Sequence, residues 1–232
     1  MRRTILSLMG LLAMALGPLS GQESPRERAR AALPAGLFDE INALAVQAER
    51  DGIPPDALFN KALEGAAKHV PTDQLLPAVN QYAVRLREAH GAFGENATGP
   101  LVVAGADALQ RGVGADALMR LGRGEGGGGH GPSPVAVLVL ADLVEDGVPA
   151  ERALGVLQEA LRMRAREQEM LGIPNQVRQL MRQGQSPQDA AEQVRRALQR
   201  GRGGGGVGPP VPPGSEPMTQ GRRQGGKGRG GG

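Results

Sequence analysis

The sequence predicts an all-α protein: a series of antiparallel helical hairpins forming an irregular bundle or short solenoid, with disordered termini. Three observations carry this. A stop-and-restart signal recurs along the chain, apolar residues between the signals fall three and four apart, and the one stretch that reads as a strand has no second strand to pair with.

The signal is Gly, an aliphatic residue, Pro, then an acidic residue. It stands as Asp51-Gly52-Ile53-Pro54-Pro55-Asp56, as Asp146-Gly147-Val148-Pro149-Ala150-Glu151 and as Leu171-Gly172-Ile173-Pro174. Looser copies are His69-Val70-Pro71-Thr72-Asp73, Gly112-Val113-Gly114-Ala115-Asp116 and Gly184-Gln185-Ser186-Pro187-Gln188-Asp189. Glycine takes the left-handed conformation that ends a helix, and the aliphatic residue folds back on the last turn. Proline cannot continue the old helix but fits the first turn of a new one, where its missing N–H is no loss. An early carboxylate then faces the positive end of the new dipole, worth ~0.3–1 kcal/mol.

These stops delimit helices over 36–51, 55–68, 73–92, 100–111, 114–121, 134–146, 150–170, 174–183 and 187–200. In the first, Leu37, Ile41, Leu44, Ala45 and Ala48 share a face. In the third, Leu75, Val79, Tyr82, Leu86, Ala89 and Phe93 form a stripe, and Pro77 argues for a start near Leu75 or Leu76. Leu154, Leu157, Ala160 and Leu161 repeat the pattern. Val135 to Ala141 is uninterruptedly apolar, the reading of a buried strand or a buried helix. The helix is preferred because Asp142-Leu143-Val144-Glu145 continues it into a glycine stop. Corners at Gly112, Gly147 and Gly184 lie 35 and 37 residues apart, inside the range of helical repeats, although spacing elsewhere is irregular. With three Phe, one Tyr and no Trp, Ala and Leu must do the packing.

The ends of the chain differ from this body. Arg2 and Arg3, the apolar run from Ile5 to Leu16 and small residues to Gly21 have the order of a secretory signal peptide over 1–21. The run is too short for a mature membrane span, which needs ~20 residues. Residues 22–35 read as a linker, 36–200 as the helical domain with a Gly-rich loop at 122–134, and 201–232 as a disordered Gly/Pro/Arg-rich tail. Net charge is +3 overall, with +2 in residues 1–21 and +4 in 201–232, which leaves −3 on 22–200. The basic character belongs to the ends. With no Cys, disulfides, thiol nucleophiles and Cys-based metal sites are excluded.

The segment Lys61-Ala62-Leu63-Glu64-Gly65-Ala66-Ala67-Lys68-His69-Val70-Pro71, with Ala78-Val79 and Arg85-Leu86-Arg87-Glu88-Ala89, resembles helical hairpins of uncharacterised secreted proteins of high-GC bacteria. The resemblance implies export and an all-helical fold and no particular chemistry. His69 departs from it, since Gly is usual there.

Motifs of familiar chemistry are sparse. Gly122-x-Gly124-x-x-Gly127 follows a helix and no strand, so it is not a dinucleotide fingerprint. No Gly-Lys-Ser/Thr follows a glycine run, and no Gly-x-Ser-x-Gly elbow exists. His69, His90 and His130 lack a second ligand at helical spacing, so no metal or cofactor is expected. Asp142 and Glu145 share a helix face, as an acid/base pair would, and Asp39/Glu40 and Glu167/Glu169 are further carboxylate pairs; solvated helix faces account for such pairs more simply. Ser24, Ser133, Ser186 and Ser215 stand in turn or tail contexts, and Asn96-Ala97-Thr98 is a formal glycosylation sequon.

The tail alone suggests an interaction. Arg202, Arg222, Arg223, Lys227 and Arg229 among glycines are candidate contacts for polyanions such as nucleic acid or anionic envelope polymers, without aromatic residues for base stacking. The expectation is an exported, non-enzymatic helical protein that binds a protein partner or scaffolds in the cell envelope, periplasmic or extracellular. A polyanion-binding protein acting through its tail and an envelope hydrolase with an unrecognised carboxylate site are the alternatives.

Overall fold

The computed structural model describes residues 23–124 and 132–201. Among these, eleven helices and no strand are present: α1 (Pro25–Ala32), α2 (Ala35–Arg50), α3 (Asp56–Ala67), α4 (Thr72–Phe93), α5 (Gly99–Gln110), α6 (Ala115–Gly122), α7 (Pro134–Glu145), α8 (Ala150–Arg162), α9 (Glu167–Leu171), α10 (Ile173–Arg182) and α11 (Pro187–Gly201). The segment 1–21 expected to be a signal peptide, all but Gly201 of the tail expected over 201–232, and the centre of the Gly-rich loop, with His130, lie outside the described residues.

The corners form as the residues dictate. Gly52, Gly112, Gly147 and Gly184 are left-handed, with φ of 73°, 93°, 87° and 93°. At each, the residue after glycine donates its N–H back to a carbonyl of the last turn: Ile53 to Ala48 at 2.9 Å, Val113 to Ala108 at 3.0 Å, Val148 to Leu143 at 2.9 Å and Gln185 to Leu180 at 3.2 Å. Ile53, Val113 and Val148 are buried by that fold-back, so the apolar residue anchors the corner as the backbone turns.

Two corners have the same geometry without glycine. His69 (φ 56°) and Arg164 (φ 54°) are left-handed, and Val70 and Ala165 donate to Gly65 and Ala160, both at 3.0 Å. The helix expected over 150–170 is therefore two, α8 and α9, parted at Arg164. Conversely, Gly172 was expected to be a left-handed stop and is right-handed (φ −75°), with the Gln176 N–H reaching its carbonyl at 3.2 Å, so α9 runs on into α10 with only a turn between. The sixth corner exists eight residues earlier than its glycine suggests, because helix ends are set by where the backbone can fold back.

Two further corrections concern starts. Within the expected linker 22–35, Pro25–Ala32 is a helix, begun by a capping box in which Ser24 and Glu27 exchange hydrogen bonds (Ser24 N–H to Glu27 Oε2, 2.9 Å; Glu27 N–H to Ser24 Oγ, 3.2 Å). Its Ala29 is fully buried, and α1 packs on α3. Helix α4 starts at Thr72, ahead of Pro77, so the proline lies inside the helix, where it has no N–H to donate to the carbonyl of Asp73.

Apolar burial falls into two clusters that share α5. Phe38, Ile41, Leu58, Phe59, Val79, Tyr82 and Leu86 belong to the first, with Val102 and Ala106 of α5. Leu118, Leu121, Leu140, Leu143, Leu154, Leu157, Ile173 and Val194 belong to the second, with Leu101, Ala104 and Ala108 of the same helix. Leu118 and Leu121 precede the Gly-rich loop and yet share a cluster with α7 and α8 beyond it, α6 packing on α8. The division of the core lies along α5. Residues 135–141 are helical, within α7, as preferred above.

Helices approach closely where small residues allow it. A Cβ on Gly105 of α5 would lie 2.8 Å from Ala89 Cβ and 2.6 Å from Phe93 Cε2 of α4. Arginine–carboxylate ties then link elements distant in sequence: Arg120 to Glu151 (2.5 Å), Arg178 to Asp146 (2.9 Å) and Arg87 to Asp51 (3.4 Å). Among the described residues no helix is long and apolar enough to cross a membrane.

Candidate functional site

Helical periodicity puts Asp56, Ala57, Asn60, Lys61 and Glu64 on one face of α3, and Gly99, Pro100, Val103 and Asp107 on one face of α5. Both helices pack on α4, so the two faces flank Tyr82, and Pro54 of the first corner joins the lining. The result is a groove of roughly 400 Å³ with apolar walls and a few polar groups, a size and make-up that suits ligand binding.

Tyr82 forms its floor and is only 4% exposed. Lys61 Nζ lies 5.6 Å from the ring centroid and the Arg85 guanidinium 6.0 Å, so cations flank the aromatic face. Neither the Tyr82 hydroxyl nor the Asp107 carboxylate makes a hydrogen bond or ion pair among the described residues. Burial, reinforced by the charge of Asp107, pushes the Tyr82 hydroxyl up to about 12. Burial also raises the Asp107 carboxyl above the usual range, although Lys61 and Arg85 oppose it.

The nearby cations are committed elsewhere. Lys61 holds Glu64 at 3.0 Å, and Lys68 binds the same carboxylate, which both hold below its ordinary pKa. Arg85 donates to Gln110 Oε1 at 3.2 Å, while its Nε is buried without a partner. Arg111 is taken by Asp142 and Glu145 of α7. The lining charges left unpaired are therefore Asp56 and Asp107, both negative.

Sequence reasoning took Tyr82 for one more member of an apolar stripe and passed over Asp107. A signal for each was available: Tyr82 is the single tyrosine, and Asp107 is the only charged residue in α5.

The residues singled out in the sequence lie elsewhere. Asp142 and Glu145 do share a face of α7, but both bind Arg111, with its Nε 2.7 Å from Glu145 Oε2. Each carboxylate is thus turned to a guanidinium of α5's C-terminal end, and the pair serves as an inter-helix tie. Ser24, Ser133 and Ser186 cap helices, accepting from the N–H groups of Glu27, Ala136 (3.3 Å) and Asp189 (3.2 Å). His69 is an exposed corner residue; His90 packs against Gly52, where a Cβ would lie 3.5 Å from its Nε2. Asp39, Glu40, Glu167 and Glu169 are exposed. Among the described residues no cluster of three metal-ligating side chains occurs. Arg202, Arg222, Arg223, Lys227 and Arg229 fall outside the described residues.

Comparison with protein-family models, with curated proteins and with solved structures finds no match to this chain.

Proposed function

We propose that the chain is an exported, non-enzymatic helical protein of the cell envelope that binds a protein partner through the groove between α3, α4 and α5. One observation carries this reading: Asp107 and the Tyr82 hydroxyl stand unpartnered in a partly desolvated groove. Both groups open into the groove rather than being sealed from it, so a ligand seated there would supply the partners they lack within the fold. The order of residues 1–21 supports export. The groove's lining holds no serine, threonine or histidine to act as nucleophile or general base, and Tyr82, protonated up to about 12, is no base at neutral pH. These features favour binding over catalysis.

The test is site-directed photo-cross-linking in envelope extract. A photoreactive residue in place of Asn60, exposed on the groove's rim, should capture a discrete partner, and Asp107→Lys should abolish the capture. Capture equal to that from Gln193, on α11, or unchanged by Asp107→Lys would overturn the assignment.

A further inference from the structure

The unpaired charges lining the groove are negative, whereas the largest concentration of positive charge per residue outside the described fold follows directly from α11. Residues 201–232 carry Arg202, Arg222, Arg223, Lys227 and Arg229 against the single acid Glu216. We propose that this C-terminal segment, through the basic cluster 222–229, occupies the groove of its own chain, with an arginine or lysine side chain set against Asp107 and Asp56 over Tyr82. This rests on the groove being a binding surface and names a ligand for it within the chain.

Charge complementarity is the first argument. Lys61 is paired with Glu64 and Arg111 with two carboxylates, while Arg85 donates to the neutral Gln110 and makes no ion pair with Asp107, so among the described residues Asp107 and Asp56 are the lining carboxylates without an ion pair. A guanidinium would give Asp107 the hydrogen-bond donors it lacks, and could also reach the Tyr82 hydroxyl, which accepts as well as donates.

Side-chain access is the second. Arg222 follows Gly221, Lys227 lies between Gly226 and Gly228, and Arg229 between Gly228 and Gly230. Such neighbours put no bulk between the backbone and the walls made by Pro54, Pro100 and Val103.

Reach is the third. Arg222 is 21 residues beyond Gly201, a contour of roughly 70 Å when extended. A compact body of this size has a radius of gyration of about 16 Å, so any point on its surface is accessible from the end of α11. Tethering also raises the local concentration of the segment to the order of millimolar, enough for a weak charge-assisted contact to be populated. The segment therefore competes with any external ligand of the groove, and an external polyanion competes with the groove for the segment.

The test uses a labelled peptide of residues 219–232 and the full chain in two forms, native and R222Q/R223Q/K227Q/R229Q. The peptide should bind the neutralised chain and bind the native chain at least about tenfold more weakly, because the native tail already occupies the groove. In the neutralised chain, Asp107→Asn and separately Asp56→Asn should each weaken the peptide several-fold, and the Tyr82 ring resonances should shift on peptide addition. Equal affinity for both chains, or affinity indifferent to both substitutions, would overturn the proposal. So would a native-chain block that disappears on dilution, which would assign the contact to a second copy. Should the peptide fail while Asn60 still cross-links an envelope partner, the tail assignment falls and the groove's binding role stands.

Discussion

Arg111, just beyond the C-terminal end of α5, donates from Nη2 to Asp142 Oδ1 of α7, fastening the helix shared by both core clusters to the second of them. The same guanidinium reaches Glu145. Burial opposes the charge of Arg111, but the hydrogen bonds to Asp142 and Glu145 outweigh it and raise its pKa. Arg111→Met should destabilise the protein by about 1–2 kcal/mol, the range for a part-exposed three-member network. Arg111→Lys should recover only part, because an ammonium cannot form the fork. Urea unfolding followed by circular dichroism at the helix band checks both, and a native-like Arg111→Met would show that the carboxylates are solvated rather than clamped.

The α4–α5 contact makes a second, steric prediction. Alanine ordinarily favours a helix over glycine by about 1 kcal/mol. At Gly105, however, the added Cβ meets Ala89 Cβ at 2.8 Å, and that atom cannot rotate away. Gly105→Ala should therefore lower stability by ~1–3 kcal/mol, the cost of overpacking. Gly91, also helical, has nothing within 4 Å of its would-be Cβ, so Gly91→Ala should be neutral or stabilising. The thermal melt of Gly105→Ala should fall, and that of Gly91→Ala should hold or rise.

Left-handed backbone at His69 and Arg164 gives a third. A residue with a Cβ is disfavoured there by roughly 1–2 kcal/mol, partly offset by the extra unfolded-state entropy of glycine. Both His69→Gly and Arg164→Gly should stabilise by about 0.5–1 kcal/mol. Unchanged melting of both variants would mean that those side chains contribute as much as the strain costs.

Of these two corners, His69 was among the looser copies of the signal, and Arg164 marks the limit of what the sequence disclosed. Gly52, Gly112, Gly147 and Gly184 were legible because glycine, followed in all but the last by an aliphatic residue, states the geometry chemically. At Arg164 only the fold-back of Ala165 onto Ala160 marks the stop, and nothing in Met163-Arg164-Ala165 spells it. Gly172 carried the Gly-aliphatic-Pro part of the signal, without the acidic residue, and did not turn, since α10 can follow α9 in right-handed geometry with Pro174 in its first turn. Helix α1 was hidden because its eight residues offer one fully buried side chain, Ala29, too little for a periodic pattern. The groove was less legible still. Its faces come from three helices, and Asp107 acquires its meaning only when α5 lies beside Tyr82. By contrast, Asp142 and Glu145 looked like a pair from their spacing, and what spacing could not supply was Arg111, more than thirty residues earlier and opposite them.

Tyr82 supplies a prediction in the alkaline range. It is the only tyrosine in a chain without tryptophan, so its ionisation can be read directly from the ultraviolet spectrum. The folded pKa, about 12, lies above the unfolded value of 10, because burial and the charge of Asp107 disfavour the phenolate. The unfolded state therefore releases its proton first. The contribution of this group to stability is complete below pH 10 and is lost as pH rises through 12, to an extent of order 2 kcal/mol. Tyr82→Phe should remove this share of the alkaline loss, visible as the difference between the two stability curves from pH 10 to 12. Asp107→Asn should lower the Tyr82 midpoint, since a negative neighbour is removed. It should also stabilise the fold at neutral pH, where the half-buried carboxyl is otherwise ionised against its raised pKa. A midpoint indifferent to Asp107→Asn would place that carboxylate away from the tyrosine and dissolve the groove as a functional unit.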